Sequence, residues 1–330
     1  MVVEIDSPLQ EHINSILQLI KSNWNLHDVW PNFNSAMRLV LPEPGLETDQ
    51  RRDSSSLLTL PGLCCQAAGG GLEETNEISA AWLLLYTAAH TFDTVEDGDL
   101  DPQIRRLGGA GPAINVATGL LLSAAIILNS LRKEDASQGP AGNMAADYLD
   151  TILVMTSGQH CDLTLPQINL KQWWQIAEAK SGAFFSLACR SGAQLAKCDK
   201  AKVNSYSDFG FHLGLMLQIL DDLEDFQIYL ASRESLVPGI LRKSLAVAYA
   251  DSVLAETEKN NLSQLILDTS PQPEVGDEII DILDGCGAGL YMLAELEKHF
   301  DLGMASLVEA QPAPPAGEKL EAIIRALKLD

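Results

Sequence analysis

The sequence is short of positive charge: 22 Lys and Arg stand against 45 Asp and Glu, giving a formal net charge of −23. Nucleic acid and anionic membrane surfaces would repel such a chain at long range, which excludes them as partners, and an anionic substrate would need cations gathered locally. Six cysteines occur without a CxxC pair or a companion histidine at metal-ligand spacing, which leaves neither a disulfide framework nor a zinc site. No secretory leader is recognisable, so the cysteines are expected as reduced core thiols of a cytoplasmic protein. Long hydrophobic runs are missing as well. The longest, Ala117 to Leu131, is interrupted by Thr118, Ser123, Asn129 and Ser130 and reads as a buried helix too short to be a transmembrane segment. Apolar and β-branched residues do not alternate, which removes the usual sign of a sheet.

What the chain holds instead is a succession of helical patterns. At 330 residues it is long for one domain and short for two, a size that helical enzymes with a large central cavity reach as a single unit. Apolar residues fall at helical spacing from Leu9 to Ile20. Trp24, Trp30 and Pro31 then mark an irregular N-terminal layer over 1–56, in which Leu41 to Ser56 reads as a loop. Helical patterns follow at Leu57–Ala68, Asn76–Asp97, Ala113–Leu131, Met144–Ser157, Leu170–Ala196, Ser205–Leu230, Leu241–Glu258 and Glu278–Phe300. Ala and Leu dominate them, and Gly-rich connections such as Ala68 to Leu72 separate them, which predicts an all-α bundle. That bundle is expected as one domain over 1–309. Pro312, Pro314 and Pro315 make Ala310–Gly317 a stiff linker, so 310–330 reads as a linker and a short final helix, Glu318–Leu329.

Two of these helices end in acidic clusters. The first closes with Asp93-Thr94-Val95-Glu96-Asp97, placing Asp93 and Asp97 at i, i+4 with Glu96 between them, on one face. The second closes with Asp221-Asp222-Leu223-Glu224-Asp225, where Asp221, Glu224 and Asp225 repeat the geometry. Like charges at this spacing repel, and at the end of an apolar helix they also face the negative pole of its dipole. A hard divalent cation removes that cost, and magnesium completes its shell with water and substrate phosphate. Either cluster alone reads as a solvated acidic turn; two, with Gly210, Gly214 and Gln218 around the second, read as a diphosphate trap.

The surrounding landmarks resemble those of the trans-isoprenyl diphosphate synthase (polyprenyl synthetase) family, from Leu57 to about Ala250. Asp93 to Asp97 resembles its first aspartate-rich motif and Gly214 to Asp225 its second. Between them, Arg105-Arg106 is similar to the family's arginine pair, Gly158-Gln159-His160-Cys161-Asp162-Leu163 to its Gly-Gln-x-x-Asp-Leu element, and Lys180-Ser181-Gly182-Ala183 to its Lys-Thr helix start. The resemblance implies an isoprenoid synthase type helical bundle around a central cavity, a homodimer, and a magnesium-dependent enzyme of isoprenoid biosynthesis that uses three Mg²⁺ ions with diphosphate. It implies Asp93, Asp97, Asp221 and Asp225 as metal ligands, with Asp93, Asp97, Asp221 and Lys180 catalytic. It implies Arg105, Arg106, Lys180, Gln218, Arg233 and Arg242 as diphosphate-binding, and Tyr86, Ala88, Ala89, Phe92 and Gln159 as lining the substrate pocket. Where the family places bulky aromatics to floor that pocket, Ala88 and Ala89 stand, which implies a prenyl diphosphate substrate of fifteen carbons or more.

The departures from the family pattern shape the functional expectation. Thr94 replaces an aspartate of the first motif. The Gly-Gly-Lys-Arg element that would bind isopentenyl diphosphate is not recognisable before Leu57, where only Arg51-Arg52 lies nearby, and Tyr86 stands where the family usually places histidine or glutamine. The Gly-Lys pair after the second motif is absent, although Arg233 and Arg242 keep the nine-residue spacing of the two usual lysines. The homoallylic site therefore reads as eroded and the allylic site as intact. The first expectation is a terpene-synthase-like lyase that ionises one diphosphate and lets the cation cyclise or lose a proton. The alternative is a chain-elongating trans-prenyltransferase in which Arg51 or Arg52 supplies the missing contact. A third reading, a non-catalytic prenyltransferase subunit, is opposed by the retention of both acidic clusters.

Overall fold

A computed structural model describes residues 57–71, 75–98, 102–134, 144–231, 241–267 and 273–329, with single positions at 15, 18, 19, 21 and 36. Arg51, Arg52, Arg233 and nearly all of the expected N-terminal layer lie outside the described residues. In chain order the helices are α1 (Leu60–Ala67), α2 (Asn76–Glu96), α3 (Pro102–Arg106), α4 (Ala110–Glu134), α5 (Met144–Thr164) and α6 (Leu170–Ala177). A π-helical segment, Glu178–Gly182, leads into α7 (Ala183–Leu195) and α8 (Lys200–Ala231). Then come α9 (Leu245–Val253), α10 (Glu256–Leu267), α11 (Pro273–Gly285), α12 (Ala288–Glu309) and α13 (Ala316–Ala326). No strand occurs among the described residues, so the fold is all-α.

Several boundaries differ from the sequence reading. Helix α5 continues past Ser157 to Thr164, which carries Gln159 and Asp162 on its last two turns. The expected helix over 241–258 is broken where Leu254 adopts an extended conformation, φ −73° and ψ 155°. The one expected over 278–300 is broken at Gly287, whose φ of +79° suits a residue without Cβ. Arg105 and Arg106 belong to the short helix α3. Helix α4 is longer than Ala113–Leu131, and its Ala110–Asn129 stretch is long and apolar enough to cross a membrane by length and composition alone.

The described residues divide into two compact units. The first takes in the described residues up to Thr151 together with Ser186–Gly210 and Met304–Leu329; the second takes in Ile152–Phe185 and the described residues between Phe211 and Gly303. In the first, α2 packs along α4 and against α1. Ile78, Leu84 and Leu85 on α2 are withdrawn from water, worth roughly 1.5–3 kcal/mol per side chain. Trp82 is fully buried on the same helix and its indole N–H donates to the Leu57 carbonyl at 3.1 Å. Gly192 lets α7 lie directly on α1, since a Cβ there would meet the Pro61 carbonyl oxygen at 2.1 Å. The final helix α13 packs on α1, and the Ala313 N–H donates to the Ala67 carbonyl at 2.7 Å across the proline-rich turn. All six cysteines are free thiols, with Cys64, Cys65 and Cys189 buried.

In the second unit, α9 packs against α6 and α11, and α10 against α11. Helix α6 begins at a capping box: the Asn169 side chain accepts from Gln172 N–H and the Gln172 side chain accepts from Asn169 N–H, both at 2.9 Å. Downstream, the widened turn of the π-helical segment lies directly against α8. A Cβ at Gly214 would meet the Ser181 carbonyl oxygen at 2.3 Å, and one at Gly182 would meet the Phe211 ring at 2.7 Å.

Candidate active site

In the first unit, α2 runs out of core at its C-terminal end. Ala88 and Thr91 are buried, Ala89, Phe92 and Asp93 are half-buried, and His90, Glu96 and Asp97 are exposed. The helix stops because the Asp97 N–H closes the last turn on the Asp93 carbonyl at 2.9 Å and Gly98 follows at φ +77°. Asp93 and Asp97 thus stand one turn apart where unpaired carbonyls concentrate negative charge. Thr94, at the position where an aspartate was expected, donates its hydroxyl back to the His90 carbonyl at 2.8 Å. Tyr86 is half-buried and meets Trp82 edge to face, with ring centroids 6.0 Å apart. Below Ala88 and Ala89, Trp82 and Leu85 are both buried. Arg105 and Arg106 end α3, which packs against α2 and α4 through a buried Ile104 and leaves both arginines exposed.

The second unit carries the other motif. Asp221 is exposed and Asp225 half-buried, while Asp222 between them turns inward. Asp222 Oδ2 accepts from the Trp173 indole N–H at 2.8 Å and from the Leu245 N–H at 2.5 Å. Burial pushes the Asp222 carboxyl up from its ordinary value to about 7, against the pull of those two donors and with the help of the neighbouring Asp221 and Asp225. The motif therefore divides its work between outward carboxylates one turn apart and an inward one bound to other helices.

Beside α8, the π-helical segment presents Lys180 and Ser181 together. Ser181 donates to Gln218 Oε1 at 2.8 Å, and Lys180 Nζ donates to Asp162 Oδ2 at 2.9 Å. Lys243 reaches the same aspartate, with Nζ 3.7 Å from Oδ1 and a further bond to the Asp162 carbonyl. Two ammonium groups thus converge on one carboxylate. One turn before Asp162, both polar atoms of the Gln159 amide are buried without a hydrogen-bond partner among the described residues, as is Nε of half-buried Arg242. Buried polar atoms left in this state are costly, and two of these three, Gln159 Nε2 and Arg242 Nε, are donors that an anionic ligand would satisfy.

Among the described residues, no three His, Cys, Asp or Glu side chains form a group able to hold a metal by themselves. The donor set on each acidic helix end is two hard carboxylates one turn apart. That fits magnesium, which takes one or two carboxylates and draws the rest of its shell from water and phosphate. Sequence reasoning named Lys180, Gln218 and Arg242 but passed over Lys243, and it left Asp222 out of the metal-ligand set without giving it a role. The positions Asp221 and Asp225 share a face at i, i+4, whereas Asp222 lies about 100° around the helix, so that separation was available from helical geometry.

The sequence profile of the polyprenyl synthetase family matches residues 64–232, just over half of the chain. A geranylgeranyl diphosphate synthase from Mycobacterium tuberculosis is 29% identical over 164 residues, 48% of this chain and 46% of that protein. A geranylgeranyl diphosphate synthase from Sulfolobus acidocaldarius is 28% identical over 232 residues, 66% of this chain and 65% of that protein. The chain thus aligns with about half to two thirds of the length of these curated relatives. Among solved structures, a decaprenyl diphosphate synthase from Rhodobacter capsulatus superposes with a TM-score of 0.81 at 15% identity, covering 98% of this chain and 97% of that one. The helical architecture is the isoprenoid synthase fold, and the chain belongs to the polyprenyl synthetase family.

Proposed function

We propose that this protein is a magnesium-dependent trans-prenyltransferase that joins an allylic prenyl diphosphate to isopentenyl diphosphate. The relatives are named as synthases of prenyl diphosphates, which favours elongation over the terpene-synthase reading that the eroded homoallylic motif suggested. The observation that carries the diphosphate assignment is the convergence of Lys180 and Lys243 on Asp162. In a chain at −23, this is a local excess of cationic groups on a rigid support, and an incoming diphosphate can take over donors now turned to Asp162.

In this reading Asp93, Asp97, Asp221 and Asp225 hold the magnesium ions. Magnesium, when bound, neutralises the charge that develops on departing diphosphate. Lys180, Lys243 and Arg242, with Gln159 and Gln218, orient the diphosphate, and fixed cations near the leaving oxygen favour ionisation more than ground-state binding. Arg105 and Arg106 add charge from α3, and Arg51 or Arg52 supplies the contact to isopentenyl diphosphate. Ala88 and Ala89 leave room for a long prenyl chain. A homodimer follows from the family reading. Ile114, Leu122 and Ile126, exposed along α4 at 45%, 59% and 65%, offer apolar area that a second copy would cover; Leu122→Glu with Ile126→Glu should then lower the mass measured by sedimentation.

Incubation with magnesium and farnesyl or geranylgeranyl diphosphate, with and without isopentenyl diphosphate, tests the reaction by mass spectrometry of the products. Longer prenyl diphosphates that form only when isopentenyl diphosphate is present support the transferase. A hydrocarbon or alcohol from the allylic substrate alone would restore the cyclase reading, and no turnover with any combination would favour the non-catalytic subunit.

A further inference from the structure

We propose that Asp222 is a positioning residue that bolts α6 and the N-terminus of α9 to α8 and thereby sets Lys243 in place to receive a diphosphate. The inference rests on the reading above that Lys243 is a diphosphate ligand. Asp222 sits inside the second acidic motif but off the face shared by Asp221 and Asp225, and its Oδ2 is already occupied by two donors from two other helices.

Leu245 is the first residue of α9, so its N–H is one that the helix itself cannot satisfy. Asp222 takes that donor, and Ser244 takes the Val247 N–H at 3.4 Å, so two of the free N–H groups at this end are met by side chains. The four residues before α9 form a tight turn: Ser244 N–H donates to the Leu241 carbonyl at 3.0 Å and the Ser244 hydroxyl donates to the same carbonyl at 2.8 Å. Lys243 lies in that turn, two residues before the anchored N–H, so its Cα is held within about 7 Å of the Asp222 bond. From there its ammonium reaches Asp162 on α5. The remainder of α9 is held independently, by burial of Leu245, Ala246, Ala248 and Ala250 and by stacking of Tyr249 on Tyr291 at 4.1 Å. Loss of the Asp222 carboxyl therefore loosens the turn that carries Lys243 more than it loosens the helix.

A positioning oxygen and a metal ligand respond differently to amidation. An asparagine oxygen can still accept from Trp173 and Leu245, whereas a neutral amide is a far poorer magnesium ligand. The test is calorimetric binding of inorganic diphosphate with magnesium to the full chain, alongside KM for the allylic substrate. Asp222→Ala is expected to weaken diphosphate binding about tenfold and to raise KM in proportion, with kcat changed much less. Asp222→Asn should recover most of that loss, and Asp221→Asn should not. Lys243→Ala should weaken binding similarly, and adding Asp222→Ala to it should bring little further loss, because the two act through one contact. Trp173→Phe, which removes one donor and leaves the carboxylate, should show a smaller loss of the same kind and serves if Asp222→Ala does not fold.

Equal losses in Asp222→Asn and Asp221→Asn would make Asp222 a metal ligand and overturn the proposal. So would multiplicative losses in the double variant, which would mark a general structural role. A Lys243→Ala variant that binds diphosphate like the wild type would remove the underlying ligand assignment and the positioning role with it. Asp222→Ala binding normally while Lys243→Ala is impaired would remove the positioning role alone.

Discussion

Replacing Gly214 by alanine adds one methyl group, and the structure says where it goes. The new Cβ would lie 2.3 Å from the Ser181 carbonyl oxygen and 2.7 Å from its carbon, about 1 Å inside the 3.4 Å at which ordinary contact begins. The obstacle is backbone on both sides, so no side-chain rotation relieves it, and α8 must retreat from the π-helical segment by about that distance. Gln218 lies one turn further along the same face, and a retreat of 1 Å would stretch the Ser181–Gln218 bond from 2.8 Å past hydrogen-bonding range. Overpacking of this kind costs about 1–3 kcal/mol, and loss of one part-buried hydrogen bond about 1 kcal/mol more. With an unfolding entropy of about 2.1 cal/mol/K per residue, a chain of 330 residues loses about 1.4 °C per kcal/mol, so the melting temperature should fall by roughly 3–6 °C. Thermal unfolding followed by circular dichroism measures it. Gly289→Ala is the control, because its Cβ would meet only the Phe226 ring at an ordinary 3.6 Å, and removing a helical glycine is worth up to about 1 kcal/mol of added stability. If Gly214→Ala melted within a degree of the wild type, the close approach of α8 to the Lys180-bearing segment would be wrong, and the site geometry built on it would fail.

Asp93→Ala and Asp221→Ala should each abolish magnesium-dependent turnover while leaving the melting temperature unchanged or slightly raised, since each removes a like charge at i, i+4; turnover at wild-type rate in both would refute the metal assignment. Ala89→Phe should shift substrate preference toward shorter prenyl diphosphates in a competition assay, and an unchanged preference would show that buried Trp82 or Leu85 sets the limit. Burial pushes the His299 imidazole down from its ordinary value to about 4, with His212 Nδ1 2.9 Å from its own Nδ1 and Lys298 adding to the shift. Because the folded value lies below the unfolded one, this stability is fully present above pH 6.5 and is lost as pH falls from 6.5 toward 4. It is worth at most about 3 kcal/mol. His299→Gln should flatten the decline in melting temperature between pH 7 and 5, and an identical decline in both proteins would count against a buried neutral His299.

The helical fold was legible because its evidence is local. Apolar residues at i, i+3 and i+4 over 76–97 or 205–230 specify a buried helix face whatever the rest of the chain does, and a sheet would need an alternation that is nowhere present. The breaks were less legible. At Gly287 the apolar pattern continues on both sides, so nothing in the periodicity marks the stop, and only the glycine itself hints at a left-handed residue. The π-helical segment has no local signature at all. It lies where Gly182 packs on Phe211 and Gly214 on the Ser181 backbone, contacts between residues about 30 positions apart.

The same distinction separates the parts of the candidate site. Asp93 with Asp97 and Asp221 with Asp225 are motifs within one helical turn, and a turn is long enough for sequence to state their geometry. The cationic pair is not of this kind. Lys180 and Lys243 meet on Asp162 from 18 and 81 residues away, and a spacing rule carried over to arginines led to Arg242 while the adjacent lysine made the contact. In a turn neighbouring side chains leave in different directions, so a spacing that points to one residue says nothing of the next. What fixes the register is the anchoring of α9 on Asp222, a buried polar bond whose partners are remote in sequence. Cation placement in this chain is therefore a property of helix–helix registration, and the acidic motifs are a property of single helices. That is why the proposed metal ligands and Lys180 can be read from sequence while the place of Lys243 has to be found in three dimensions.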